Sequence, residues 1–192
     1  MKAALGYAGV AGLAALWLLP WEVWFATDFP LHMVRHMGLV AVITPLLVLG
    51  FPALGTAFAL SPLAGAVIEF LVVWGWHVPA LHGAADGGGW AFVAEQGSFL
   101  LAGLLVWGGA LRGGQPLAGA GALLLTSMHM TLLGALMILA PRDLYAAVCG
   151  RLPDLGGQQL GGLLMLGIGT PIYLVAGLAL VGQALQPERS TA

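Results

Sequence analysis

This sequence predicts an all-α, polytopic membrane helix bundle: about six transmembrane helices joined by short loops. Three observations carry that prediction. Of 192 residues, 60% are apolar and only 7% are charged, with a mean hydropathy of +0.97, whereas a soluble domain carries about 25% charged residues. Six stretches approach the roughly 20 apolar residues needed to cross hydrocarbon. Their apolar runs are continuous rather than alternating with period two, which argues against a barrel. Six Lys/Arg and eight Asp/Glu cannot coat a water-facing surface, so a soluble enzyme, a nucleic-acid binder and a disordered chain are excluded.

The expected spans are residues 3–25, 31–51, 62–79, 91–111, 117–140 and 159–183. Between them lie helix-ending chemistries: Pro20 to Pro30, Pro52 to Pro62, Pro79 to Gly89, Arg112 to Pro116, and Pro141 to Gly157. Residues 1–185 form a single transmembrane domain, and 186–192 are a short polar tail. The first span is read as a retained helix rather than a signal peptide, because Trp24-Phe25-Ala26 lacks small residues on both sides of a cut. Among the 30 glycines, many lie inside spans, where they let backbones approach closely. The series Ala4, Ala8, Gly12 suggests one such packed face.

With six spans both termini share one face, the terminal face, together with Lys2, Arg112 and Arg189. Arg35, Arg142 and Arg151 fall on the opposite face, so the positive-inside count is a tie; the arrangement adopted places the termini in the cytoplasm. Glu22, Asp28, Asp86, Glu95, Asp143 and Asp154 all fall on or near the opposite face.

The histidines are more informative. His32 and His36 open the second span at the opposite face, His77 closes the third span there, and His82 follows in the next loop. In His32-Met33-Val34-Arg35-His36-Met37, a spacing of four puts both histidines on one helix face and both methionines on the adjoining one. Imidazole with thioether is a soft, neutral ligand set suited to Cu(I). Met128-His129-Met130 on the fifth span and Met165 on the sixth add further donors. At 1.5 Å per residue, His36 lies roughly 8–9 Å below the opposite face and His129 about 16 Å below it, so one tetrahedral site holding both is strained unless helices shift or break. Packing alone would also account for the methionines, and an aromatic belt for the tryptophans around His77.

Two acids are placed as well. Glu69, inside the third span, is expected to be protonated, paired or lining a polar cavity, as a proton relay or a partner to a histidine. Glu95 is read as an acid favoured by its helix dipole. His129 should have a partner, either a metal or a neighbour such as Ser127 or Thr131. Arg35 is expected to snorkel to the interface, and His82 is read as an interfacial loop residue. Cys149 stands alone, which excludes a disulfide framework. No nucleophile elbow, phosphate loop or dinucleotide fingerprint is present, so no enzymatic activity is expected and the chemistry is metal or proton handling.

The sequence resembles the multi-spanning CtaG family of cytochrome c oxidase assembly factors. The resemblance is carried by His32-Met33-Val34-Arg35-His36-Met37 running into Thr44-Pro45-Leu46-Leu47-Val48-Leu49-Gly50-Phe51-Pro52, then by Trp76-His77-Val78-Pro79-Ala80-Leu81 and Glu95-Gln96-Gly97-Ser98-Phe99-Leu100. Pro141-Arg142-Asp143-Leu144-Tyr145 and Gln158-Gln159-Leu160-Gly161-Gly162-Leu163-Leu164-Met165 follow in the family's order. It implies a protein of the bacterial cytoplasmic (inner) membrane that helps mature haem-copper oxidase at its copper site. The partners implied are oxidase subunits or their assembly intermediates within the lipid bilayer, with no nucleic acid. His32, His36 and His77 are the metal contacts it implies; Met33, Met37 and His129 complete the candidate set, with copper as the metal. Where the family pattern has histidines near the start of the fourth span, this chain has Phe92 and Gln96, and the acid before the Gln-Gln pair is replaced by Gly157. Two alternatives stand beside this reading: a haem-binding electron carrier ligated by His36 and His77, and a cofactor-free accessory subunit or scaffold.

Overall fold

Four helices have a proline as their first residue, where the missing N–H costs nothing and the fixed φ favours helix entry. In the computed structural model, which describes residues 2–25 and 28–186 without the Glu22 side chain, these are α3 (Pro52–Ala57), α4 (Pro62–Trp76), α5 (Pro79–Asp86) and α7 (Pro116–Leu139). The others are α1 (Lys2–Leu18), α2 (Asp28–Gly50), α6 (Gly89–Arg112) and α8 (Leu155–Ala184). No strand occurs among the described residues. The expectations concerning Ala26, Arg189, the Glu22 side chain and residues 187–192 fall outside them.

Every expected span coincides with a helix, but the count is lower than six by length and composition. α2, α6, α7 and α8 are long and apolar enough to cross a membrane, and α4 with α5 makes a fifth if that pair, bent by 74°, is one broken span. α1, at 17 residues, is shorter. The bend has a local cause: Val78 precedes Pro79 and is held extended at ψ 127. Large apolar side chains face outward along mid-helix, including Leu71, Leu101, Leu132, Leu163 and Val175, as lipid-facing surfaces require.

Glycines set the closest approaches. α1 runs antiparallel to α2, with Gly6 against Phe51 and Gly50, Gly9 against Leu47, and Gly12 against Ile43. The packed face is therefore Gly6, Gly9 and Gly12 at a spacing of three. The expected Ala4/Ala8/Gly12 face is corrected: Ala4 and Ala8 are exposed, because the glycines, having no Cβ, are what the partner backbone needs. α7 and α8 pair through Gly134 and Gly162, where a Cβ on Gly162 would lie 2.7 Å from the Gly134 carbonyl oxygen.

α2 changes winding in its middle. Gly38–Ile43 is π-helical, and the Thr44 N–H bonds back to the Leu39 carbonyl. Pro45 has no N–H to offer, so the Val40 carbonyl has neither an α nor a π donor in its own helix. Side chains replace it: Thr44 Oγ1 at 2.8 Å, Trp107 Nε1 at 2.8 Å and the Tyr173 hydroxyl at 3.1 Å all converge on this oxygen. The same Tyr173 hydroxyl bonds the Glu69 carboxyl, whose second oxygen accepts from Thr126 Oγ1 at 2.9 Å. This network joins α2, α4, α6, α7 and α8 in the bundle interior. Glu69 thus has a tyrosine and a threonine for partners rather than a histidine.

The loop of residues 140–154 folds over the opposite face. Asp143 Oδ1 accepts from the Tyr145 and Ala146 N–H groups at 2.8 and 3.0 Å, and Oδ2 from the Asp154 N–H at 2.9 Å and Arg151 at 3.0 Å. Gln158 ties the loop to the bundle, accepting from the Leu144 N–H at 2.7 Å and donating to the Met137 carbonyl at 2.9 Å. Asp154 caps α8 by accepting from the Gly157 N–H at 2.9 Å. Burial would push the Asp143 carboxyl up, but the three backbone donors and the Arg151 guanidinium outweigh it and hold the group below its usual range.

Gly50→Ala places a methyl on the Gly6 backbone and should destabilise the detergent-solubilised protein by about 1–3 kcal/mol, read as a lower unfolding temperature. Gly75→Ala, with nothing within 4 Å, should leave that temperature unchanged. The Asp143 contribution is complete above the ordinary carboxylate range and is lost as pH falls through the depressed folded-state value. Asp143→Asn should therefore cost about 1–3 kcal/mol at neutral pH and flatten the acid limb of the stability profile; an unaltered acid limb would contradict this.

Candidate metal centre

The i, i+4 spacing turns His32 and His36 toward α4, α5 and α6, while Phe29, Met33 and Met37 turn toward α8. Met33 lies against Gly161, and the Met37 methyl against Gly169. Both methionines thus fill glycine-lined gaps against α8, the usual role of this flexible side chain. Met130 and Met165 are fully buried, whereas Met128 is 70% exposed and faces away from the bundle.

Consecutive positive-φ glycines, Gly88 (φ 78) and Gly89 (φ 67), make the sharp turn that folds α5 back onto the start of α6, a backbone path that disfavours side chains with a Cβ. That turn brings His82 and Glu95 together beside His32. One ligand atom from each of His32, His82 and Glu95 lies within 4.8 Å of the others. His32 Nε2 and Glu95 Oε1 are 3.5 Å apart, too long for a good hydrogen bond and near the separation of about 3.3 Å between two ligands held about 2.0 Å from a tetrahedral ion. Gln96 Nε2 donates to Glu95 Oε2 at 2.9 Å, which orients the carboxylate and leaves Oε1 free.

One helical turn deeper, the His36 and His77 rings lie 5.2 Å apart, with Phe99 stacked on His36 at 4.1 Å. The His77 position is fixed by three contacts. Its Nδ1 lies 2.6 Å from the Val73 carbonyl, the His77 carbonyl accepts from the Tyr145 hydroxyl at 3.1 Å, and neighbouring Trp76 donates to Ser98 at 2.8 Å. A carbonyl only accepts, so Nδ1 of the neutral ring carries the proton and Nε2 presents its lone pair, the arrangement that a backbone carbonyl imposes on metal-ligating histidines. Tyr145 also covers His82, ring to ring at 4.4 Å.

Buried polar atoms normally have partners, yet here they do not. His36 Nδ1 and Nε2, His77 Nε2, His82 Nδ1, Glu95 Oε1 and Gln96 Oε1 are all buried without a hydrogen-bond partner. A ligand-ready set of nitrogen and oxygen donors therefore collects at the opposite-face end. Its donors suit copper or zinc, since imidazole serves both. Cys149 lies beside Asp86 and Arg151, outside the imidazole set; burial, followed by the adjacent Asp86 carboxylate, pushes its thiol up to about 11.

His129 is not brought into this cluster. Its ring meets Phe70 edge-on at 5.3 Å, on α4 about 10 Å along the axis from His77, and both of its nitrogens lack hydrogen-bond partners. Ser127 and Thr131, the alternatives for a partner, turn instead to Thr170 on α8. Arg35 does not reach into the imidazole set; its guanidinium lies over the Trp17 ring at 5.6 Å. The sequence reading undervalued His82 and Glu95, seen there as an interfacial residue and a helix-dipole acid. The short Gly87-Gly88-Gly89 turn between them was the available signal that the two must be close.

No curated protein and no solved structure matches the chain. The family model described as "Cytochrome c oxidase caa3 assembly factor" matches residues 2–186, nearly the whole sequence and every element that builds the centre. The chain belongs to this family of oxidase assembly factors.

Proposed function

We propose that the protein handles copper during maturation of its oxidase, holding the ion as cargo in the opposite-face cluster and presenting it to an oxidase subunit or assembly intermediate. The single observation that carries this reading is the convergence of buried imidazole nitrogens without hydrogen-bond partners on His36, His77 and His82. In a membrane interior each such atom costs free energy that a ligand can offset. His32, His36 and His77 are the proposed contacts, joined by His82 and Glu95; Met33, Met37 and His129 take no part in the ligand set. The reading locates the chain in the bacterial cytoplasmic membrane with the cluster toward the outer side, and gives it a non-catalytic role.

A haem between His36 and His77 is less well supported, because those rings already approach at 5.2 Å with Phe99 against one of them, closer than an intervening macrocycle allows.

The test is copper content and optical spectrum of the detergent-purified protein, wild type beside His36→Ala. The wild type should retain copper without a Soret band, and His36→Ala should lower copper affinity at least about tenfold while the protein's abundance in membranes stays level. Cells carrying the variant should lose oxidase activity. Equal copper content and equal oxidase activity in the two strains would overturn the reading.

A further inference from the structure

Helical spacing extends the ligand face outward from the cluster. On α2, Asp28, His32 and His36 follow at intervals of four, so they share one face and descend about 6 Å per step. On α5, His82 and Asp86 have the same spacing. Asp28 and Asp86, both exposed, line one cavity of about 330 Å³ together with His32, Arg35 and Phe92. Beneath it lies the built part of the site. Glu95 is fully buried, and its unpartnered Oε1 sits 3.5 Å from the His32 ring that forms the cavity's inner wall.

We propose that this cavity is the entrance through which a copper cation passes from water to the buried cluster, with Asp28 and Asp86 attracting it and His32 receiving it. The inference rests on the copper reading above and adds a route to it. Two carboxylates stand at the rim with Glu95 behind them; of the two guanidiniums nearby, Arg35 lies over Trp17 and Arg151 is paired with Asp143 at 3.0 Å. A cleft with one prevailing sign of charge raises the local concentration of the opposite ion and its rate of entry. The three levels then succeed one another: hard oxygen donors at the surface, mixed nitrogen and oxygen at His32, His82 and Glu95, and nitrogen alone at His36 and His77. Each level is softer than the last, the order in which an ion sheds water for imidazole.

The experiment follows Cu²⁺ uptake by stopped-flow quenching of tryptophan fluorescence, with copper content at saturation measured alongside. Wild type, Asp28→Asn/Asp86→Asn and Arg35→Gln are compared in detergent. At low ionic strength the double variant should take up copper about tenfold more slowly and reach the same final content, and the gap should close in 1 M salt. Arg35→Gln should quicken uptake, which keeps the test decisive if the double variant fails to fold. Unchanged rates in these variants with normal copper content would overturn the entrance while leaving the copper reading intact. Lower final content in the double variant would also overturn it, making the aspartates ligands rather than an entrance. A wild type that takes up no copper would overturn both.

Discussion

A proline in the middle of a membrane helix leaves a carbonyl without a donor, and hydrocarbon offers no water to replace it. Pro45 does this to Val40, and the rest of the bundle is arranged around the repair. The π-helical turn of Gly38–Ile43 rephases α2, and Thr44, Trp107 and Tyr173 converge on the exposed oxygen. Through Tyr173 the repair extends to Glu69 and Thr126, so one backbone defect fixes the register of five helices. The first half of α2, which carries His32 and His36, is positioned by that lock.

The bundle accordingly has two halves of opposite character. Within the network of Val40 and Glu69 each polar group finds a partner, as a membrane interior demands, although His129 beside Phe70 does not. Toward the opposite face both ring nitrogens of His36, Nε2 of His77 and Nδ1 of His82 remain unpartnered although they are buried. Around them the scaffold is tightly bonded: Asp143 gathers four donors, Gln158 ties the loop to α7, and Tyr145 closes over His77 and His82. A rigid shell about an unsatisfied interior is what a preorganised ligand site requires. The Pro141–Tyr145 and Gln158–Gln159 segments that carry the family resemblance are part of that shell and not of the donor set.

Much of this was legible in the sequence, for identifiable reasons. Apolar run length located the helices, and the proline that opens α3, α4, α5 and α7 set their starts. Helical spacing put His32 and His36 on one face. Two classes of feature were hidden. Tertiary turns were one: the run Gly87-Gly88-Gly89 signals a short turn between His82 and Glu95, but not the positive φ at Gly88 and Gly89 that sets both residues beside His32. Choice between faces was the other: helical spacing aligns Met33 with Met37, but only the folded chain shows them set against glycines at positions 161 and 169, on a helix more than a hundred residues away. The same ambiguity in α1 favoured Ala4 and Ala8 over Gly6 and Gly9, although only a glycine admits the Gly50 backbone.

The central claim is that imidazole and carboxylate, not thioether, form the copper site at the opposite-face end. X-ray absorption of the copper-loaded, detergent-purified protein tests it most directly. The account requires a first shell of nitrogen and oxygen scatterers with the outer-shell pattern of imidazole, diminished in His36→Ala. A sulfur scatterer in that shell, or a spectrum without imidazole features, would contradict it.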